Sequence, residues 1–196
     1  MIAMWIALGV LAAGVIFVVA TFNRLVTLRN RFKNAWAQID VQLQRRYDLI
    51  PNLVETAGAF LKHERETLEA VMQARNSAVQ ASRRAAADPA DAGAVGSLIA
   101  AEGVLGGALG RLLAVAEDTP ELKSDATMHD LMEELTSTEN KVAFARQAYN
   151  DSVTAYNTGR EHFPDNMVAG LLQFAPSTLY EVVDARVRAA PKVSFD

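Results

Sequence analysis

Residues 23–64 read "NRLVTLRNRFKNAWAQIDVQLQRRYDLIPNLVETAGAFLKHE" and repeat apolar side chains at helical spacing. One row recurs every seven residues, and a second row lies four residues after it. The first row is Leu25, Phe32, Ile39, Arg46, Leu53 and Phe60, and the second is Trp36, Leu43, Ile50 and Ala57. Together the two rows form one stripe of helical period. The stretch therefore predicts a long amphipathic helix that carries one arginine on its apolar side.

A proline interrupts this helical pattern near its end. Pro51 has no N–H to donate, and its ring crowds the carbonyl of Tyr47 four residues earlier. We therefore expect a helix bend at Tyr47 and Pro51. The freed Tyr47 carbonyl should accept a hydrogen bond from a polar side chain or a water.

The segment before this helix has no charged side chain. Residues 1–22, "MIAMWIALGVLAAGVIFVVATF", would reach about 33 Å as a helix, which exceeds the ~30 Å of a bilayer core. A cleaved signal peptide is the alternative, but the segment lacks a basic start and its apolar run exceeds the usual ~7–15 residues. We interpret residues 1–22 as an uncleaved transmembrane anchor. No proline or glycine interrupts 23–50, so this anchor should continue directly into the amphipathic helix.

Basic residues cluster just after the anchor. Residues 23–62 carry seven Lys/Arg against three Asp/Glu, and four of them follow the span closely, namely Arg24, Arg29, Arg31 and Lys33. We expect a single-pass protein of the cell (inner) membrane, and the positive-inside tendency predicts its N-terminus outside and its bundle in the cytoplasm. The alternative places the bundle in the periplasm. These basic side chains are also suited to anionic lipid headgroups.

Three more helices are predicted downstream. The second starts near Glu64, and "ADPAD" predicts the start of the third, with Asp88 as N-cap, Pro89 at the first helical position and Asp91 in the first turn. The third helix contains "GVLGGALG", in which two G-x-x-x-G spacings overlap. We favour close packing of these glycines inside the bundle. A subunit contact or a deformable segment is the alternative interpretation.

The last long helix follows the break at Thr119–Pro120. Its narrow seam has coiled-coil spacing and contains Met128, Leu131, Leu135, Thr138, Val142, Ala145, Tyr149, Ser152 and Tyr156. The triplet "AYN" occurs at 148–150 and again at 155–157, one heptad apart, so both asparagines project from the same side. Gly159 and Pro164 end the helical region.

The fold class predicted from these signals is all-α. A transmembrane anchor, 1–22, continues into an antiparallel up-down four-helix bundle, 23–162. A short amphipathic helix and an extended tail, 163–196, follow the bundle. In an up-down bundle the last helix returns toward the membrane. Five apolar residues after it would then be available for membrane contact, namely Met167, Val168, Leu171, Leu172 and Phe174.

Four stretches together resemble the LemA family. They are the N-terminal span, the quoted stretch 23–64, "TSTENKVAFARQAYNDSVTAYN" at 136–157 and "APKVSF" at 190–195. The resemblance covers nearly the whole chain. It implies a single-span membrane protein with an antiparallel four-helix domain, and a magnetosome-membrane branch of the family suggests roles in membrane organisation.

The sequence offers no recognisable catalytic set. Cysteine is absent, and His63, His129 and His162 stand apart from carboxylates at metal-ligand spacing. The net charge of −4 argues against a nucleic-acid binder. We therefore expect no enzyme and no cofactor. The leading hypothesis is a self-associating, membrane-anchored scaffold or adaptor that organises membrane or recruits unidentified protein partners. The alternative is a membrane-tethered sensor whose bundle binds a small ligand.

Arg46 is the one charged residue on the first apolar row, where a charge is costly unless paired. If the first and last long helices are antiparallel, with residue 22 level with about residue 162, residue 46 lies near residue 138. We therefore predict that Arg46 pairs with Glu139 inside the bundle and fixes the register of the helices. A ligand-binding role for Arg46 is the competing interpretation.

Overall fold

The computed structural model describes residues 1–181. Every regular element in this part of the chain is an α-helix. The elements are α1 (Ile2–Phe60), α2 (Arg65–Ala87), α3 (Ala92–Glu117), α4 (Pro120–Lys123), α5 (Ala126–Glu161) and α6 (Asp165–Leu171). Residues 172–181 follow α6 without regular structure. The part of the expected tail at 182–196 lies outside the described residues.

The anchor and the amphipathic helix form one continuous helix, as the sequence predicts. Helix α1 runs from Ile2 to Phe60 and passes through Pro51 without a break. Residues 1–20 are exposed, whereas Thr21 and Leu25 are buried. The apolar N-terminal part of α1, with a mean hydropathy of 2.7, therefore projects from the helical domain. This segment is suited to a membrane.

The core is built on the apolar stripe of α1. Leu25, Ile39, Leu43, Tyr47 and Ile50 are fully buried. Helix α1 packs mainly along α5 and also against α2, and α2 packs along α3. Among the described residues, the long helices contact one another mainly in three pairs: α1 with α5, α1 with α2 and α2 with α3. These pairs do not by themselves close four helices into an up-down bundle, so that arrangement stays a prediction.

Helices α1 and α5 run antiparallel in the register that the sequence predicts. Gly159 lies against Leu28, so closely that a Cβ added there would come within 2.8 Å of the Leu28 Cδ1 atom. One layer further from the N-terminal end of α1, the Trp36 and Tyr149 rings meet with centroids 5.1 Å apart. Further still, Arg45 pairs with Glu134. The missing side chain of Gly159 thus lets α1 and α5 approach each other closely. Gly159 lies within α5, which ends two residues later at Glu161.

The start of α3 differs from the prediction. Asp91 is the N-cap, and its carboxylate accepts hydrogen bonds from the backbone N–H groups of Gly93 and Ala94. Asp88 instead bonds the Ala90 N–H inside the preceding turn. The predicted N-cap at Asp88 is wrong because a second aspartate stands three residues later and takes that role.

Candidate functional site

A buried polar cluster joins α1 to α3. The Arg46 Nη1 atom lies 2.8 Å from Glu102 Oε2, and the Tyr47 hydroxyl donates to Glu102 Oε1 at 2.7 Å. The side chains of Arg46 and Glu102 are only 10% and 11% exposed. Glu102 thus holds two donors from adjacent residues of α1, and its charge balances that of Arg46. A charge that is paired and hydrogen-bonded in this way is tolerated in a protein interior.

The predicted partner of Arg46 is wrong. Arg46 is buried and paired, but its partner is Glu102 of α3, whereas Glu139 of α5 is exposed to solvent. Thr138, the residue predicted at this level, is buried, and the neighbouring Arg45 pairs with Glu134 about one turn away. Successive residues of a helix point about 100° apart, so Glu139 turns away from the interior that Thr138 faces. Sequence spacing gave the level of Arg46 along the helix but not the neighbour that it faces.

The carbonyl freed by Pro51 has a polar partner, as predicted. The Arg75 Nε atom of α2 donates to the Tyr47 carbonyl oxygen at 3.0 Å. Arg75 also lies 3.9 Å from the Asp48 carboxylate through its Nη2 atom. The stretch that contains Tyr47 and Pro51 is therefore tied to α2 by its backbone and to α3 by its side chains.

Burial also acts on the tyrosines of this region. It raises the pKa of the Tyr47 phenol well above its usual value, and the negative charge of Glu102 acts in the same direction. Burial likewise raises the pKa of Tyr180, which packs against Trp36 with ring centroids 6.0 Å apart. Both phenols therefore stay protonated above the pH at which a free tyrosine ionises, and the Tyr47 O–H remains available as a donor.

An extended segment, 175–180, lies along α5, and we call it the strap. The side-chain amide of Asn157 bonds both the backbone N–H and the C=O of Ser177, at 3.1 Å and 2.9 Å. Asn150 makes the same pair of bonds with Tyr180, at 2.8 Å and 3.1 Å. Each asparagine thus pairs with one strap residue much as a neighbouring β-strand would.

The spacing of the two asparagines matches the strap. Seven residues of helix rise about 10.5 Å, and three residues of extended chain span about 10 Å. The tyrosines of the same triplets add support. The Tyr156 hydroxyl donates to Ala175 O at 2.8 Å, and the Tyr149 hydroxyl lies 2.9 Å from Thr178 O. The repeated "AYN" is the sequence signal for this contact, although the sequence alone does not identify the strap as its partner.

A second polar cluster lies where α1 leaves the domain. The Asp165 carboxylate at the start of α6 is buried and accepts hydrogen bonds from Thr21 Oγ1 at 2.9 Å and Arg24 Nη1 at 2.6 Å. Arg29 lies over the Phe174 ring, 5.4 Å from its centroid. Arg31 and Lys33 are exposed. Two of the four predicted membrane-flanking basic residues, Arg24 and Arg29, therefore contact the chain itself.

The five residues predicted to contact a membrane divide into two groups. Met167, Leu171 and Leu172 are exposed, by 68%, 77% and 42%. Val168 and Phe174 are buried, and Phe174 packs on Phe22 with ring centroids 5.7 Å apart. Val168 and Phe174 are thus unavailable for the predicted membrane contact, because they hold this segment against the domain.

The glycines of α3 point outward. At Gly96, Gly103, Gly106, Gly107 and Gly110, an added Cβ would have no neighbour within 4 Å. Val104 among them is 65% exposed. We call these six residues the glycine face. The expectation that the glycines pack inside the bundle is wrong, because the leucines of α3 occupy its buried side, namely Leu98, Leu105, Leu109 and Leu112.

A cleft of about 640 Å³ lies between the end of α3 and the start of α5, at the end of the domain away from the anchor. Apolar side chains line most of it, including Leu113, Leu122, Met128 and Met132, and Gly110 also lines it. In the part of the chain that the structure describes, no group of three or more His, Asp or Glu side chains is placed to hold a metal ion.

Comparison with known proteins finds three similar magnetosome proteins. Magnetosome protein MamQ of Magnetospirillum gryphiswaldense is 27% identical over 168 residues, which cover 78% of this chain and 62% of the relative. Magnetosome proteins MamQ 1 and MamQ 2 of Paramagnetospirillum magneticum are each 26% identical over 175 residues, covering 82% of this chain and 64% of each relative. The chain thus spans less than two thirds of the length of these relatives.

The family model covers most of the helical domain. It matches residues 35–195, a range that begins within α1 and includes both asparagines of the strap contact as well as Arg46 and Glu102. The resemblance seen in the sequence motifs is therefore confirmed over this range, and the chain belongs to the LemA family.

Proposed function

We propose that this protein is a non-enzymatic, membrane-anchored scaffold that self-associates through the glycine face of α3. In this role it organises membrane or recruits partner proteins. Its similarity to proteins named for the magnetosome supports a membrane-associated role for this protein. The observation that carries the proposal is the uncovered apolar surface of α3.

Helix α3 is unusually apolar for an outer helix. Its most apolar 18-residue window has a mean hydropathy of 1.6, yet only 22% of that window is buried. Exposed apolar surface of this kind commonly marks an interaction site. Glycines four residues apart let two helices approach closely, as Gly103 with Gly107 and Gly106 with Gly110 would. A second copy presents the same face, so a symmetric pair would cover both.

The polar groups inside the domain support a structural role. Arg46 and Tyr47 both bond the Glu102 carboxylate, and Asp165 accepts hydrogen bonds from Thr21 and Arg24. A ligand-binding role for Arg46 is thereby less favoured, because its charged partner lies within the chain.

The mass of the full-length protein in detergent tests self-association. We expect an oligomer after the bound detergent is subtracted. Val104→Glu should shift the protein toward monomer, since it places a charge in the glycine face. Val41→Glu is the matched control, because Val41 is also exposed, by 58%, but lies on α1. A wild-type monomer at all concentrations, or equal effects of the two substitutions, would overturn the proposal.

For orientation, we propose that the bundle faces the cytoplasm. The support is the run of basic residues after the anchor, with Arg31 and Lys33 exposed. A reporter fused after Asp196 should therefore be active in the cytoplasm. Activity of a periplasmic reporter at that position, in the otherwise unchanged protein, would reverse the orientation.

The distal cleft supports a second candidate function, a sensor that binds a small apolar ligand. Its volume of about 640 Å³ and its leucine and methionine lining are typical of ligand pockets. Native mass spectrometry of the purified protein should then show an added non-protein mass. The cleft-filling variant Met132→Trp should lose that mass, since Met132 lines the cleft from α5 and lies outside the glycine face. If the wild-type protein carries none, the sensor function is not supported.

A further inference from the structure

Helix α6 and the residues after it are fastened to one short stretch of α1. Asp165 at the start of α6 bonds Thr21 and Arg24. Phe174, three residues after its end, packs on Phe22. Both ends of the segment 165–174 therefore contact α1 between residues 21 and 24. The segment cannot move away from this level without breaking an ion pair and an aromatic contact.

This level coincides with the end of the apolar anchor. The uncharged stretch covers residues 1–22, and Arg24 is the first charged side chain after it. Thr21 and Phe22 belong to the last turn of that stretch, which rises only ~5.4 Å. If residues 1–22 span a bilayer, α6 lies at the boundary between the headgroups and the acyl chains.

The outward side of α6 has the composition that this boundary favours. Val168 and Ala169 face the domain and are buried, whereas Met167 and Leu171 are 68% and 77% exposed. Phe163, just before α6, is 81% exposed. These three apolar side chains have nothing from the domain over them, and the bilayer that holds the anchor is directly adjacent.

We propose that Phe163, Met167 and Leu171 insert into the lipid interface of the same bilayer that holds α1. The occupant of this surface is lipid rather than a protein partner, because Asp165 and Phe174 hold the segment against α1 at the end of the apolar anchor. The inserted side chains and the Asp165 contacts would together fix the tilt of the domain on the membrane. This inference does not depend on self-association through α3.

The absence of cysteine from the chain allows a direct test. Met167→Cys and Leu171→Cys would each be labelled with an environment-sensitive fluorophore in the full-length protein. The labelled proteins would be placed in phosphatidylcholine–phosphatidylglycerol vesicles. Phe144→Cys is the matched control, because Phe144 is 74% exposed on α5 and far from the anchor. In the α1–α5 register it lies level with about residue 40, roughly 27 Å from residue 22.

We expect both α6 labels to shift to the blue and to be quenched several-fold by lipids that carry a nitroxide near the headgroup. The Phe144→Cys label should instead be quenched by iodide in the water. Iodide quenching of all three labels to the same extent would overturn the proposal. So would a blue shift of the α6 labels that appears only at high protein density and without nitroxide quenching, since that result indicates contact with a second copy.

Discussion

Arg46 brings a positive charge into the helical domain, and Glu102 balances it from a different helix. The ion pair has little access to water, and Tyr47 adds a hydrogen bond to the same carboxylate. Removing one partner of such a pair leaves the other charged and uncompensated. The cost of that loss is larger than the net contribution of the intact pair.

Arg46→Ala and Glu102→Ala should each lower the free energy of unfolding by about 3–5 kcal/mol. The double variant should lose less than the sum, because neither charge is left unpaired. Chemical denaturation followed by circular dichroism measures all three. Glu139→Ala serves as the control and should change stability by less than about 0.5 kcal/mol, since Glu139 is exposed. Additive losses, or a large effect of Glu139→Ala, would contradict the observed pairing.

The buried phenols predict a dependence of stability on alkaline pH. The unfolded chain releases tyrosine protons near pH 10, whereas burial keeps Tyr47 and Tyr180 protonated in the folded protein. Stability is therefore complete below about pH 10 and declines above it, by about 1.4 kcal/mol per pH unit for each such tyrosine. Denaturation at several pH values should give a shallower decline for Tyr47→Phe than for the wild type. Identical slopes would show that Tyr47 is not protected.

For single residues, the sequence predicted the position along the helix axis better than the identity of the contacting residue. The heptad row showed that Arg46 is buried, and Pro51 showed that the Tyr47 carbonyl needs a partner. The identity of each partner depends on how α2 and α3 are rotated about their own axes. No spacing within α1 identifies Glu102 as the partner of Arg46, or Arg75 as the partner of the Tyr47 carbonyl.

Among the elements, the strap is extended as its sequence-based description expected, but its contacts were not predicted. Its backbone pairs with Asn150 and Asn157, its carbonyls accept from Tyr149 and Tyr156, and its own Tyr180 packs on Trp36. The repeated triplet was visible in the sequence, but its partner was not. Polar pairs one heptad apart serve equally well between subunits and within a chain.

Amide hydrogen exchange tests the strap contact one residue at a time. Asn157→Ala should speed exchange of the Ser177 N–H at least tenfold, and Asn150→Ala should do the same for Tyr180, because each N–H loses its acceptor. Asn140→Ala is the matched control on the exposed side of the same helix. Unchanged exchange at both positions would mean that the asparagines do not hold the strap.

Helix α3 shows a different limit of sequence analysis. Its glycines predicted close packing, and the structure leaves them without a neighbour from the described chain. The regular leucines of the same helix were the better guide to its buried side. Small residues permit contact on either side of a helix, whereas large apolar residues require burial.

For the whole molecule, the course of α1 and its pairing with α5 were predicted from sequence patterns. A 22-residue uncharged stretch and a long heptad row predicted the anchor and its continuation into the domain. The antiparallel register of α1 and α5 also follows from sequence. The exposed surface of α3 could not be predicted from the sequence, because it depends on which side of α3 packs against the core.

The proposed scaffold requires that the glycine face of α3 packs against the same face of a second membrane-anchored copy. Disulfide crosslinking of Val104→Cys in native membranes tests it most directly, since the chain has no other cysteine. Val41→Cys provides an equally exposed comparison on α1. We predict that mild oxidation yields a dimer band for Val104→Cys, removable by reductant, and little or none for Val41→Cys. Monomer alone for Val104→Cys, or equal crosslinking at both positions, would contradict self-association through α3.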